Sequence, residues 1–349
     1  MTEGTDVTTA TERDPVAGTE PRPTARDRLR SSFDRAGHLL AVLAGLVFWG
    51  WLLTRWLYDW VLARVGIGPG AGEAFLSPAP LEALAASLSS AAGSFGPLGV
   101  PVGWLASAAD AAALGVDIGP ALATGAWYTI VLTLSSLTLG FCIAVPLAIL
   151  RVYGGPMRWL ALAYTELIRG TPLLAQLFVL YYGLPLSAWL NDFSVVGRGF
   201  VPGYAFWIAI LGFTINGSAY QAEYIRGALE TVDEGQLTAA RALGLSQFEG
   251  IRHVVLPQTL RYAIPAWTNE LVYLIKYSSL AGFITVPELY YRANDIASST
   301  LEYTSIFGLL AIVYLGLVLS ATNVMGRVER RVAVPGLGGA EGRQQEPNE

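Results

Sequence analysis

Six long apolar runs constrain this chain more than any other feature of it. They fall at about residues 39–62, 121–150, 160–189, 203–225, 263–286 and 304–325. A helix that crosses a bilayer needs roughly 20 largely apolar residues, so each run is long enough to span. The second and third exceed that length and are expected to tilt, kink or extend beyond the lipid. Composition agrees, because only 14% of residues are charged where a soluble domain carries about 25%. The fold class read from this is an all-α polytopic membrane protein. The first run follows a basic segment, Arg26, Arg28, Arg30 and Arg35, as a signal peptide would. It also carries Arg55 and Asp59, and it is longer than the roughly 7–15 residues of a signal core. It is therefore read as a retained span.

Arginine placement sets the orientation. The N-terminal tail holds six Arg, and the connection at about 63–120 holds only Arg64. Residues 151–158 hold Arg151 and Arg158, and the next connection holds only Arg198. The 226–262 loop holds Arg226, Arg241, Arg252 and Arg261, whereas 287–303 holds only Arg292. The C-terminal tail is again rich. Both termini and the 226–262 loop are thus expected on the cytoplasmic side of the cell membrane. The expected organisation is a disordered tail (1–37), a first span (38–63) and an extracytoplasmic segment (64–120). A transmembrane domain (121–331) follows, and then a second disordered tail (332–349). In the extracytoplasmic segment, Pro80 to Ala92 and Trp104 to Leu114 read as short interfacial helices.

Several function classes are excluded. A net charge of −5 gives no electrostatic support for nucleic acid. A single cysteine, Cys142, rules out an intrachain disulfide or a Cys-x-x-Cys metal site. No phosphate-cradling Gly-x4-Gly-Lys-Ser/Thr segment occurs, so the chain has no ATP site of that kind.

The 226–262 loop is polar and amphipathic between two apolar runs. It contains Gly235-Gln236, Ala239-Ala240 and Gly244, followed by Ile251 and Leu256-Pro257. The alanines leave a thin helix face, Gly244 is suited to a left-handed turn, and Pro257 is expected to end the second helix. Leu243, Leu245, Phe248, Ile251 and Val255 are expected to hold the helix pair together.

This loop resembles the EAA loop of ATP-binding-cassette (ABC) importer permeases. The resemblance extends from about Gly125 to Arg331, and is to the polar amino acid permeases of the histidine/glutamine/arginine branch. It is carried by Glu166 to Leu174 with Gln176, by Ala219-Tyr220, Glu223 and Arg226-Gly227, and by Leu256-Pro257-Gln258. Pro265, Asn269, Lys276, Ser279-Leu280 and Glu288-Leu289 complete it. The resemblance implies a five-span core of the methionine-permease type, preceded here by one extra span. It implies a permease dimer, homo- or heteromeric, with a cytoplasmic ATPase dimer and an extracytoplasmic amino-acid-binding protein. It places ATP and magnesium on the ATPase and none on this chain. Gly235, Gln236, Ala239, Ala240, Gly244, Ile251, Leu256 and Pro257 then form the ATPase-coupling surface. Two departures stand out. Thr238 replaces the family's glutamate, and Tyr277-Ser278 replaces an Asp-Thr pair beside Lys276.

Polar groups inside spans are costly and usually face a cavity or a partner. Asn216, Tyr220 and Glu223 share one helical face, and Asn269, Tyr273 and Lys276 share another. Glu166, Arg169, Leu173 and Gln176 lie on a third, near a break expected at Pro172, and Thr171 beside that break is a further candidate. Together with Ser278 and Ser279 these faces suit a pathway for a zwitterion. Lys276 or Arg169 would meet its carboxylate, and Glu223 or Glu166 its ammonium. Structural pairing is the competing reading for Glu166 with Arg169 and for Glu223 with Arg226. Arg55 and Asp59 read as a satisfied i,i+4 pair, and His253 as a surface residue. Three rivals remain open: an importer of another small solute such as an opine, organic acid or sulfur compound; an ATP-independent transporter; and an intramembrane enzyme with a Ser–Lys276 dyad.

Overall fold

The computed structural model describes residues 25–198 and 201–332, and among these it contains helices and no strand. The two tails expected to be disordered lie largely outside the described residues. The chain divides between Trp49 and Gly50 into two compact units. Helix α1 (Ala25–Leu57) crosses that division. It begins well before the expected start at residue 38, because no proline interrupts 25–57 and the Arg-, Leu- and Ala-rich sequence favours helix. Leu39, Leu40, Leu43, Leu46 and Val47 on it are exposed.

In the second unit α1 passes into a wide turn at Tyr58–Leu62. Arg55 is only 1% exposed and donates to both Asp59 oxygens, at 2.8 and 2.6 Å. It also donates to the Glu73 carbonyl, and Asp59 accepts from the Gly72 amide at 2.9 Å. Each buried charge is thus paired and hydrogen-bonded, the condition under which burial is tolerated. Trp56 donates to the Ala123 carbonyl at 2.7 Å, and the Trp60 and Trp127 rings meet edge to face.

Helix α2 (Ala79–Ser94) covers the first expected interfacial helix. The second is absorbed into α3 (Val100–Tyr153), a continuous helix of 54 residues. At 1.5 Å per residue it is roughly 80 Å long, far more than the roughly 30 Å of a hydrocarbon core. The boundary drawn at residue 121 falls inside this helix. Pro120 removes one donor there without stopping an otherwise Ala- and Leu-rich segment.

The third apolar run is not one helix. It folds as α4 (Arg158–Arg169), α5 (Leu173–Phe178), a wide turn at Val179–Gly183 and α6 (Leu186–Asn191). Pro172 sits at the first break, with ψ 135°, as its lack of an amide hydrogen requires. Helix α7 (Tyr204–Glu230) packs closely on α3, where a Cβ at Gly140 would lie 3.3 Å from the Ser218 amide nitrogen. After the 226–262 loop, α10 (Leu256–Tyr277) gives way to a tight helical segment, Ser278–Ile284, so the fifth run also ends early as a regular helix. Glu288 caps α11 (Leu289–Thr300) by accepting from the Tyr290 and Tyr291 amides, and also accepts from the Tyr314 hydroxyl. Tyr314 belongs to α12 (Tyr303–Val332).

Among the described residues, three segments are long and apolar enough to cross a membrane by length and composition: Leu39–Val65, Val100–Tyr153 and Tyr303–Val332. Two apolar cores hold the rest. One centres on Leu132, Leu177, Phe213, Leu274 and Ile284. The other lies toward the 226–262 loop, around Ala148, Ile225, Leu229, Val255 and Ala263.

Candidate functional site

The 226–262 loop folds as a helix pair. Asp233 caps α8 (Glu234–Ala242) by accepting from the Gly235 amide at 2.6 Å. The helix closes on Gly244 at φ +89°. Leu245 N–H donates to the Ala240 carbonyl and Gly244 N–H to that of Arg241. This pattern satisfies the last carbonyls through a left-handed glycine. Ser246 opens the second helix, α9 (Gln247–Gly250), with a reciprocal capping box to Glu249. The Ser246 hydroxyl and amide hold the exposed Glu249 carboxyl below its usual range.

Ala240 is buried, as a thin helix face requires, whereas Gln236 and Ala239 are exposed. The close approach is to Gly250, where a Cβ would sit 2.8 Å from Leu237 and 3.4 Å from Ala240. Leu237 and Gly250 therefore belong to the pair, although the sequence motif does not mark them. Ile251 and Val255 are buried as expected, but Leu243 is 85% and Phe248 68% exposed. These two do not hold the pair together; they project from it. Both flank the Gly244 turn, where the chain reverses and leaves no neighbouring helix to cover them.

Pro257 does not end the second helix. A wide-pitched turn at Ile251–Val255 joins α9 to α10, and Leu256 N–H bonds back to the Ile251 carbonyl. Widening the helix just before a proline makes room for its ring and skips the donor it lacks. Pro257 is thus an early residue of α10. Between the end of α3 and α8 lies a cleft of about 800 Å³, lined in part by Tyr153, Asp233, Glu234 and Arg241.

The expected polar face of α7 is assembled against α4 and α5. Gln176 donates to Thr171 Oγ1 at 2.7 Å and to the Ile168 carbonyl at 2.7 Å, so it ties together the break before α5. Asn216 donates to Gln176 Oε1 at 3.2 Å. Arg169 lies over the Tyr220 ring at 5.4 Å, a cation–π contact. Glu223 is bound by Arg226 at 2.6 Å and Arg151 at 2.9 Å, with Arg169 at 3.7 Å. Arg169 also meets Glu166 at 3.7 Å. The structural-pairing reading of Glu166, Glu223 and Arg226 therefore holds for the geometry. Arg151, placed in the sequence only as a topological charge, is the missing member. It crosses from α3 and also donates to Thr165 at 2.7 Å. Arg169 Nε is buried without a partner.

The α10 face is different. Asn269 and Lys276 are exposed, and Lys276 Nζ enters no ion pair among the described residues. Ser278 turns away from them. It is fully buried and donates to the Ile275 carbonyl. It therefore leaves the expected pathway, because the α10 helix ends at Tyr277 and the tight segment rotates it inward. Ser279 donates to the Lys276 carbonyl. No serine hydroxyl contacts Lys276 Nζ among the described hydrogen bonds. The described residues include no group of three or more His, Cys, Asp or Glu able to hold a metal ion.

Residues 136–334 match the family described as the inner membrane component of binding-protein-dependent transport systems. The chain is similar to a probable amino-acid ABC transporter permease protein, YckA, of Bacillus subtilis, at 34% identity over 221 residues. That match covers 63% of this chain and 92% of the relative. A solved amino acid ABC transporter with histidines is similar at 32% identity and a TM-score of 0.51, covering 61% of this chain and 94% of that one. The MetNI methionine ABC transporter, in an inward-facing conformation, shares the fold at 21% identity and a TM-score of 0.50, over 61% of this chain and 96% of that one. The first span and the segment to residue 120 precede the family match. With more than half its length inside that match, the chain belongs to the family of inner membrane components of binding-protein-dependent transport systems.

Proposed function

We propose that this chain is the transmembrane permease subunit of an ABC importer for polar amino acids. The observation that carries the reading is the α8–α9 pair. It is a capped two-helix projection that exposes Leu243 and Phe248 and runs without a break into α10. The arginine distribution supports a cytoplasmic placement for that projection and for both termini. The partner it suits is a cytoplasmic ATPase dimer, which would hold the ATP and magnesium. A second permease copy or paralogue would cover the exposed polar face of Asn269 and Lys276. An extracytoplasmic binding protein would deliver the solute. Closure of the ATPases would move the loops, rock the spans as near-rigid bodies and expose the pathway alternately to each side. Amino acids are favoured as solutes by the names of the Bacillus subtilis relative and of the solved amino acid transporter.

The test is to isolate the chain from native membranes in mild detergent and identify what accompanies it. Stoichiometric recovery of a P-loop ATPase supports the reading. Its repeated absence, under conditions that preserve a known importer, would move the assignment to an ATP-independent transporter.

A further inference from the structure

A helical hairpin precedes the family match at residues 136–334. A tight turn at Gly96–Gly99 joins α2 to the start of α3. The two helices pack along each other, with Ala85, Ala106 and Ala113 buried. The foot of the hairpin is fixed. Asp59 accepts from the Gly72 amide, and Arg55 donates to the Glu73 carbonyl. The Tyr58 hydroxyl meets the Ile67 and Pro69 carbonyls. At the other end α3 runs on as one helix into the bundle.

Its surface has two parts. From Ala83 to Ala109 the sequence holds no Asp, Glu, Lys, Arg or His, and near the turn Phe95, Val100, Trp104 and Leu105 are exposed. Nearer the bundle, Glu82, Asp110, Asp117 and Glu302 line a cleft of about 420 Å³, and none of its described lining residues is basic. Along α3 these carboxylates lie between the apolar run at 121–150 and the apolar tip. Val100 is roughly 15 Å beyond Asp110, on the side away from that run. Exposed carboxylates are expensive in hydrocarbon, so the tip stands clear of the bilayer and lipid does not cover it. Pairing of two copies about a two-fold axis would set the same patch against itself. It would also bring like charges together, which costs affinity. An uncharged patch with exposed aromatic residues has the composition of an interface centre, and its acidic margin suits a partner with a basic one.

We propose that the α2–α3 hairpin is a docking post for the extracytoplasmic solute-binding protein. An apolar patch on that protein meets Phe95, Trp104 and Leu105, and basic residues beside the patch meet Glu82 and Asp110. The proposal rests on the importer reading and deepens it by naming where a partner binds. The matched family is that of binding-protein-dependent systems, and the arginine distribution supports an extracytoplasmic placement for residues 64–120.

The experiment has two arms, both on the full transport system. In cells, Phe95→p-benzoylphenylalanine and Trp104→p-benzoylphenylalanine are irradiated, and the adducts are identified by mass spectrometry. An adduct with a solute-binding protein is the expected result. An adduct with a second copy of this chain or with lipid, or no adduct, overturns the proposal. In proteoliposomes, ATPase stimulation is titrated with the purified solute-binding protein of the system. Phe95→Ser with Trp104→Ser, and separately Glu82→Lys with Asp110→Lys, are compared with wild type. All four residues are exposed, so basal ATPase activity and membrane abundance should be unchanged. The half-maximal concentration is expected to rise roughly tenfold in each double variant, as for loss of an interface anchor, with the maximal rate retained. An unchanged half-maximal concentration overturns the proposal while the importer reading stands. A wild-type chain that assembles with no ATPase removes both.

Discussion

Arg151, at the end of α3, donates to Glu223 on α7 at 2.9 Å, across 72 residues of sequence. Their side chains are 12% and 22% exposed, so water screens the pair only in part. Arg226 meets the same carboxylate at 2.6 Å from within α7. Glu223 thus ties α3 to α7 beside the loop that follows. Deleting one member of such a pair leaves the other desolvated. A double-mutant cycle of Arg151→Ala and Glu223→Ala, read by thermal unfolding in detergent, is expected to show a coupling of about 1–3 kcal/mol. Coupling indistinguishable from zero would mean that the contact contributes only to position.

Gly244 holds φ +89° at the reversal between α8 and α9. A β-branched residue there costs on the order of 1–3 kcal/mol of backbone strain. Gly244→Val is expected to insert into the membrane normally but to lose ATPase association and ATP-driven uptake. Uptake at the wild-type rate would show that the turn tolerates the strain.

Leu243 and Phe248 contribute little to the fold because they are exposed. The double variant Leu243→Ser, Phe248→Ser is expected to shift stability by no more than about 0.5 kcal/mol. Recovery of the ATPase with the permease should nevertheless fall sharply. If the ATPase co-purifies at the normal ratio, its contact lies on another surface of the loop.

Ser246 and Glu249 form the box that starts α9. Replacing Ser246 with Ala is expected to cost about 1 kcal/mol. The Glu249 carboxyl is held below its usual range by hydrogen bonds from Ser246. A depressed acid stabilises the fold above its unfolded value, and that contribution fades as pH falls through its folded value. The stability gap between wild type and Glu249→Gln should therefore be constant from neutral pH down to the ordinary carboxylate range and close only below it. A gap that changes between pH 6 and 8 would point to a different titrating group.

Much of this fold is legible in the chain. Apolar runs located the helices, Gly244 announced its left-handed turn, and Arg55 with Asp59 announced a local pair at i,i+4. These features depend on residues close in sequence. The misses depend on tertiary placement. Pro257 reads as a stop, and only the wide turn before it lets the helix continue. Leu243 and Phe248 read as core by hydropathy, but the turn aims them outward. Arg151 reads as a topological charge until α7 brings Glu223 beside it. Ser278 lies two residues after Lys276 in the chain, yet the change of helical pitch after Tyr277 buries it.

The continuous path from α9 through its wide turn into α10 has a mechanical consequence. From Gln247 to Tyr277 the chain forms one rod of roughly 46 Å, with the projecting Phe248 near one tip and Lys276 near the other. A tilt of about 10° displaces one tip relative to the other by roughly 8 Å, using the same rise per residue. A small angular change imposed at Phe248 would thus arrive at Lys276 as a displacement larger than the diameter of a water molecule, less whatever bends at the two weak points of the path, the wide turn at Ile251–Val255 and Pro265 within α10.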